Sequence, residues 1–461
     1  MFFAASLSLA ALPSYAADPS KPAPVDEPKE AFRLRLPALD LPYNVTYGYR
    51  APSMEQSQAL SVDAYELTLD LCRRLARRAG KDRRWLEELV GYGCSGATIP
   101  ISVYFPPFFN WAHEEGHRAV LGRYGFDSHN GLYSFNFSST VAVDGVKDKD
   151  LIWLKANHPA DMVRMHSAGA EMQNLLGVRL ADDDFFFGIP GAQAGPITFS
   201  SRRQAPVLFF LWFHQMLYFA AAAGGAFDAD IDALGSKETN ILDRDFTGPD
   251  YTAWARDMVR PKEPYEARGA HPSGTGIQRY VRHADLTPEE QDLLSSQTAL
   301  HMLNLINPAM FGMQGFKISD TTRLSVAVSH QIAPFGYDVG AIVRLTTRGM
   351  KISARLHDYI RAEGWLPGIE ARIVEQPVRI GKTTLYVTPR LGGFVQPEGL
   401  LYRGAKAKPG GYVGVGVDIP IVPWLRWSIN MTAKSAGWVQ GIEYMDANVT
   451  ANVGATIIVP D

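Results

Sequence analysis

Over the C-terminal third of the chain, apolar and polar residues alternate with a period of two. From Trp424 to Ala433, Leu425, Trp427, Ile429, Met431 and Ala433 share one face, and Arg426, Ser428, Asn430 and Thr432 share the other. The stretch from Asn448 to Val459 repeats the pattern, with Val449, Val453, Ile457 and Val459 set against Asn448, Thr450, Asn452 and Thr456. Successive side chains of a strand point to opposite faces, so this alternation predicts strands. Six more are expected over 322–330, 337–347, 350–361, 366–375, 382–394 and 411–419, divided by turn sequences such as Thr347-Arg348-Gly349 and Lys408-Pro409-Gly410-Gly411.

Upstream of about residue 316 the period is 3.6 instead. Leu67, Leu71, Leu75, Leu86 and Leu89 recur through a basic helical stretch from Ser61 to about Val90 that also carries Arg73, Arg74, Arg77, Arg78, Lys81, Arg83 and Arg84. Such a stripe suits a solvated helix face or one lying on anionic lipid. Helices are also expected over 108–125, 160–180, 206–225 and 287–307. The last starts at Thr287-Pro288-Glu289-Glu290 and stops at Pro308. The 206–225 stretch is long enough to span a bilayer, but His214 and Gln215 at its centre favour a buried core helix. Leu132–Val143 alternates in part, and a strand near the site is expected there.

With 461 residues, two or three domains are expected. Charged residues make up 20% and hydrophobic residues 46%, which excludes a wholly disordered chain. Lys plus Arg number 45 and Asp plus Glu 48, so there is no basic excess and no nucleic-acid partner is expected. A mean hydropathy of −0.10 argues against a polytopic helical membrane protein but says nothing against a β-barrel, whose strands alternate. Two cysteines, Cys72 and Cys94, exclude a four-cysteine zinc module and leave either one bridge or two free thiols.

Phe2 to Pro13 is a short apolar run, and Ser14-Tyr15-Ala16 supplies small residues before a cut at Ala17, so export is expected. The organisation that follows is α+β and multidomain: a signal peptide over 1–16, a linker and extended segment over 17–60, a mainly helical domain over 61–315, and an antiparallel all-β domain over 316–461. About eight strands of roughly nine to eleven residues, apolar on one face, match a small outer-membrane barrel. Trp365, Tyr386, Tyr402, Tyr412, Trp424 and Trp438 near strand ends would form its interfacial girdle.

The chemistry is concentrated in His113-Glu114-Glu115-Gly116-His117, an H-E-x-x-H on an expected helix. Residues i and i+4 share a helix face, so both imidazoles can bind one metal, with Glu114 placed to act as general base. The segment resembles the zinc metallopeptidases known as zincins. The resemblance implies Zn²⁺ as cofactor, a peptide or protein substrate, and Glu114 taking a proton from the attacking water. Val120 and Arg123 stand where metzincins carry Gly and His, and no N-E-x-x-S-D follows, which leaves the gluzincin arrangement with a Glu on a second helix. Glu171 is the best candidate third ligand, flanked by small residues Ser167, Ala168, Gly169 and Ala170 that allow close helix approach. Asn174 would support it from the second shell, and His214 or Tyr218 would stabilise an oxyanion. His166, Asp161, His129 and His158 are the rival ligands.

Two functions follow as expectations. The first is an exported zinc-dependent hydrolase, a peptidase, bound to the envelope through its β-domain, with the outer membrane favoured over the periplasm. The second is a non-enzymatic outer-membrane protein for transport or assembly whose helical domain is stabilised by metal.

Overall fold

The period-two region folds as expected in a computed structural model, which describes residues 30–81, 83–104, 108–134, 142–235 and 237–460. The export segment, the linker before residue 30 and most of the strand expected over Leu132–Val143 lie outside the described residues. The helices are α1 (Tyr43–Tyr47), α2 (Met54–Ala79), α3 (Arg84–Tyr104), α4 (Phe108–Gly122), α5 (Asp148–Asn157), α6 (Pro159–Phe187), α7 (Ala205–Ala223), α8 (Asp228–Gly235), α9 (Asp250–Val259) and α10 (Pro288–His301). The strands are β1 (Glu30–Leu41), β2 (His129–Asn130), β3 (Val143–Asp144), β4 (Pro190–Ala194), β5 (Ile197–Ser200), β6 (Met313–Ser319), β7 (Thr322–Ala333), β8 (Gly336–Thr347), β9 (Met350–Arg361), β10 (Gly364–Ile373), β11 (Gln376–Ile380), β12 (Thr383–Pro397), β13 (Ala407–Val422), β14 (Leu425–Lys434) and β15 (Asn448–Pro460).

All eight expected strands form, within a few residues of their expected ends. They belong to a 13-stranded antiparallel sheet ordered β1-β15-β14-β13-β12-β10-β9-β8-β7-β6-β5-β4, with β11 beside β12. The protein is therefore α+β. The sheet is not closed: β1 and β4 end the path and do not pair, so the expected self-closed barrel is corrected. The physical reason lies at β1. Its outer edge is occupied by a helix, with the Arg35 amide donating to Asp63 of α2 at 2.6 Å.

Alternation along the sheet is inverted relative to a water-facing sheet. Trp427 is 61% exposed and Val413 64%, while Arg426 on the other face is 4% exposed. Leu356, Ile369, Leu391, Met431 and Val453 also point outward. Inward, polar side chains meet α6: Arg344 and Arg372 both pair with Asp182, and Gln331 accepts from Asn174 at 2.8 Å. Only part of the expected aromatic girdle faces outward. Trp365 and Trp424 are exposed, but Trp438 is buried and Tyr412 donates inward to Glu370 at 2.7 Å.

Helix α6 is the axis of the molecule, with every residue from Asp161 to Val178 buried. It packs against α4 and against β1, β6, β7 and β8 of the sheet. The single helix expected over 61–90 is two helices, α2 and α3, which break at Gly80 and are joined by a Cys72–Cys94 disulfide. In α7, Val207, Leu208, Leu211 and Trp212 are buried while Phe209 and Leu217 are exposed. Gln215 donates to the Ala170 carbonyl at 2.8 Å and to Gln173 at 3.1 Å, so this polar residue faces protein, as its sequence context suggests.

Candidate metal centre

The H-E-x-x-H segment lies in α4, and its two histidines share a face. That face crosses α6 at Gly169, where a Cβ atom would stand 2.5 Å from Nε2 of both His113 and His117. The reciprocal contact is at Gly116, where a Cβ would meet the Ala168 carbonyl oxygen at 2.7 Å. Small residues therefore let the two helices approach closely, as the run Ser167–Ala170 predicts.

The third member of the group is Asp250, the first residue of α9. Its Oδ2 lies 2.9 Å from Nε2 of His113, and its Oδ1 3.5 Å from Nε2 of His117. One ligand atom from each of the three side chains falls within 4.8 Å of the others, and all three residues are buried. His117 Nδ1 lies 2.5 Å from the Met165 carbonyl, which can only accept, so Nδ1 carries the proton and Nε2 presents its lone pair to the group. Two imidazole nitrogens and a carboxylate are a donor set that fits a divalent metal with an open coordination position. The buried group could hold such an ion. The residues around it are consistent with that role, because one ligand atom from each of three buried side chains converges there.

Electrostatics follow from burial of several acids in one place. Asp250 is buried, which disfavours ionisation, but His117 and His113 outweigh this and hold its carboxyl far below the usual range. Burial pushes the Glu114 carboxyl up to about 8, opposed by His113 and reinforced by Asp245, Asp250 and Glu115. Asp245 is pushed up to about 7, by burial first and by Asp250 second. For His117, burial favours the neutral ring, and Asp250 more than offsets it. The result is a crowd of carboxyls that resist ionising together, and a cation among them would favour their charged forms.

A cavity of about 160 Å³ opens beside the group. It is lined by His113, Glu114 and Asp250, together with Asn110, Gln173, His214, Tyr218 and Asp245. Glu114 thus faces the same space as two of the three ligand-type residues. The Tyr218 hydroxyl accepts from the Asp250 amide at 3.0 Å and lies 3.5 Å from Asp250 Oδ2. His214 packs edge-on against Phe109, with ring centroids 4.9 Å apart.

Two expected site residues lie elsewhere. Glu171 is not in the group: its Oε1 accepts from Arg164 at 2.9 Å and from the Gly441 amide at 2.7 Å, and its Oε2 from Trp438 at 3.1 Å. It follows Gly169 by two residues, about 200° around the helix, so it points away from the histidines. Asn174 is also removed from the group, bonding Gln331 and accepting from Trp212 at 3.3 Å. The rival ligands are occupied too. His166 bonds Asp257 at 2.8 Å and Thr247 at 2.8 Å, Asp161 accepts from Arg123 at 2.7 Å, His129 bonds Asp144 at 3.1 Å, and His158 packs against Tyr124.

Asp250 and Asp245 were the residues missing from the sequence reading. Asp250 follows Gly248-Pro249 and opens a helix, a position where an acid is expected for the helix dipole alone. The Thr247-Gly248-Pro249 turn therefore marks it as an N-terminal helix residue, not as a ligand. No family model matches this chain, and no curated protein or solved structure matches it either.

Proposed function

We propose that the protein is an exported, zinc-dependent hydrolase that cleaves peptide bonds and associates with the outer membrane through its sheet. The observation that carries the hydrolase reading is the placement of Glu114 in one cavity with His113 and Asp250, next to His117. A structural metal site has no use for an added base facing the same space. His113, His117 and Asp250 would hold the zinc, which when bound polarises water and the scissile carbonyl. Glu114 accepts the proton of the attacking water and passes it to the leaving amine. In this reading Tyr218, whose hydroxyl accepts from the Asp250 amide, turns its proton toward charge developing on the carbonyl oxygen.

The membrane part of the reading is supported by the outward apolar face of the sheet and its inward charge. That observation also favours the second expectation, a non-enzymatic envelope protein, and Glu114 separates the two. Purified Glu114→Gln should retain zinc by elemental analysis and lose cleavage of a peptide library that the unaltered protein cuts. Retained cleavage would overturn the assignment of the base, and an unaltered protein that binds no metal would overturn the hydrolase.

A further inference from the structure

The open side of the sheet is filled by helices. α2 covers the free edge of β1. The Cys72–Cys94 disulfide joins α2 to α3. Arg203, just before α7, donates to Glu87 and Glu88 of α3, each at 2.9 Å. Leu208 and Leu211 of α7 pack with Leu305 and Ala309, and the chain then enters β6, two strands in from the far edge strand β4. Sheet and helices together surround α6.

These helices face outward as the sheet does. Leu67 and Leu71 on α2 are 55% and 56% exposed, Trp85 and Leu89 on α3 are 63% and 61%, and Phe209 on α7 is 47%. An isolated exposed leucine needs no explanation, but a row of them at helical spacing beside an apolar sheet face does. At one end of the row the α2–α3 turn carries Arg77, Arg78, Lys81 and Arg84, all exposed. Arg74 donates to the Pro460 carbonyl at 3.2 Å, which sets this turn beside the end of β15, next to Trp424.

We propose that α2, α3 and α7 complete a lipid-facing wall with the outer face of the sheet, and that the basic α2–α3 turn lies among the phosphates of an anionic leaflet. The inference rests on the membrane reading above and extends it from the sheet to the helices. A bilayer is the one occupant that contacts an apolar surface continuing around both structures; a protein partner covers a single side. The dimensions agree. The 19 residues of α7 rise about 28 Å at ~1.5 Å per residue, against a hydrocarbon core of ~30 Å. Arginines beyond the end of a leucine row, with Trp85 directly after Arg84, give the order that a leaflet of phosphates over acyl chains selects.

The test uses single cysteines at exposed positions, Leu67→Cys, Phe209→Cys, Met431→Cys and Asp127→Cys, leaving the Cys72–Cys94 bridge in place. Each variant carries a bimane label and is reconstituted into phosphatidylglycerol–phosphatidylcholine vesicles containing lipid with a nitroxide on its acyl chain. Labels at Leu67, Phe209 and Met431 should be quenched, and the label at Asp127 should stay bright. Quenching at Met431 with bright labels at Leu67 and Phe209 overturns the helical wall while leaving the sheet in lipid. Bright labels at all four positions overturn both the wall and the membrane reading. The double variant Arg77→Glu, Arg78→Glu should lose binding to phosphatidylglycerol-containing vesicles relative to the unaltered protein, and equal binding overturns the headgroup contact.

Discussion

His113 and Asp250 meet at 2.9 Å, Nε2 to Oδ2, across 137 residues of sequence. The contact brings an acid from the start of α9 to a histidine of α4, and it closes a two-histidine, one-carboxylate group. Asp250→Ala removes one of the three side chains proposed to hold zinc. Zinc affinity should fall by more than the ~10–100-fold typical of losing an outer-shell partner. Competition titration against a chelator measures this, and unchanged affinity would place the ion elsewhere.

Glu171 gives the opposite expectation. It is buried with Arg164, and loss of its carboxylate leaves that guanidinium without its charge partner in the core. Glu171→Ala should cost about 3–5 kcal/mol of folding stability, as breaking a buried pair does. At temperatures where the variant is folded, its zinc affinity should equal that of the unaltered protein. Denaturant melts and metal titration on one preparation separate the two effects. A loss of zinc without loss of stability would return Glu171 to the ligand set.

The contrast between these two acids shows what the sequence can carry. Period and spacing are local properties, so β9 appears at the expected residues 350–361 and the H-E-x-x-H at a helix face. Small residues in α6 likewise announce a close helix crossing. The rotation of Glu171 relative to Gly169 is also implicit in helical geometry, since two residues turn the chain by about 200°. What no local pattern contains is a partner 137 residues away. Closure of the sheet is non-local in the same way: alternation specifies strands and faces, while the edge of β1 is settled by α2, a helix whose polar residue Asp63 reads as ordinary surface. The outward apolar face expected of a barrel is present, with Trp427 exposed and Arg426 buried, although the sheet does not close.

A third buried acid tests pH dependence away from the candidate metal centre. Asp257 accepts from Lys155 at 3.0 Å, Arg268 at 2.7 Å and His166 at 2.8 Å. Burial opposes its ionisation, but Arg268, Lys155 and His166 outweigh this and hold the carboxyl well below its usual range. A depressed folded-state value means that the stabilisation is present above the unfolded value of ~3.9 and is lost as pH falls toward the folded one. The unaltered protein should therefore exceed Asp257→Asn in stability at pH 7, and the difference should shrink below about pH 4. Urea melts of both proteins across that interval check it, and a pH-independent difference would mean that packing, not charge, holds this network.

The sheet offers the sharpest choice between solvents, because Trp427 is 61% exposed. In water, an exposed tryptophan replaced by arginine loses little, and surface changes of this kind stay within about 0.5 kcal/mol. In lipid, the same arginine costs about 2–4 kcal/mol near the midplane. Trp427→Arg should therefore block membrane assembly, whereas Asn452→Ala on the opposite face of β15 should be mild. The register supports the pairing of these tests, since Trp427 lies opposite Ala455 and Asn452 opposite Asn430 on the adjacent strands. Fractionation gives the readout. The unaltered chain should stay in membrane pellets through high-salt and alkaline washes and come off only in detergent, while Trp427→Arg should not. If the variant assembles as well as the unaltered chain, or if the unaltered chain is monodisperse without detergent, the outward face meets water and the membrane reading fails. The candidate metal group of α4 and α9 would stand unchanged, because none of its three side chains lies on the sheet.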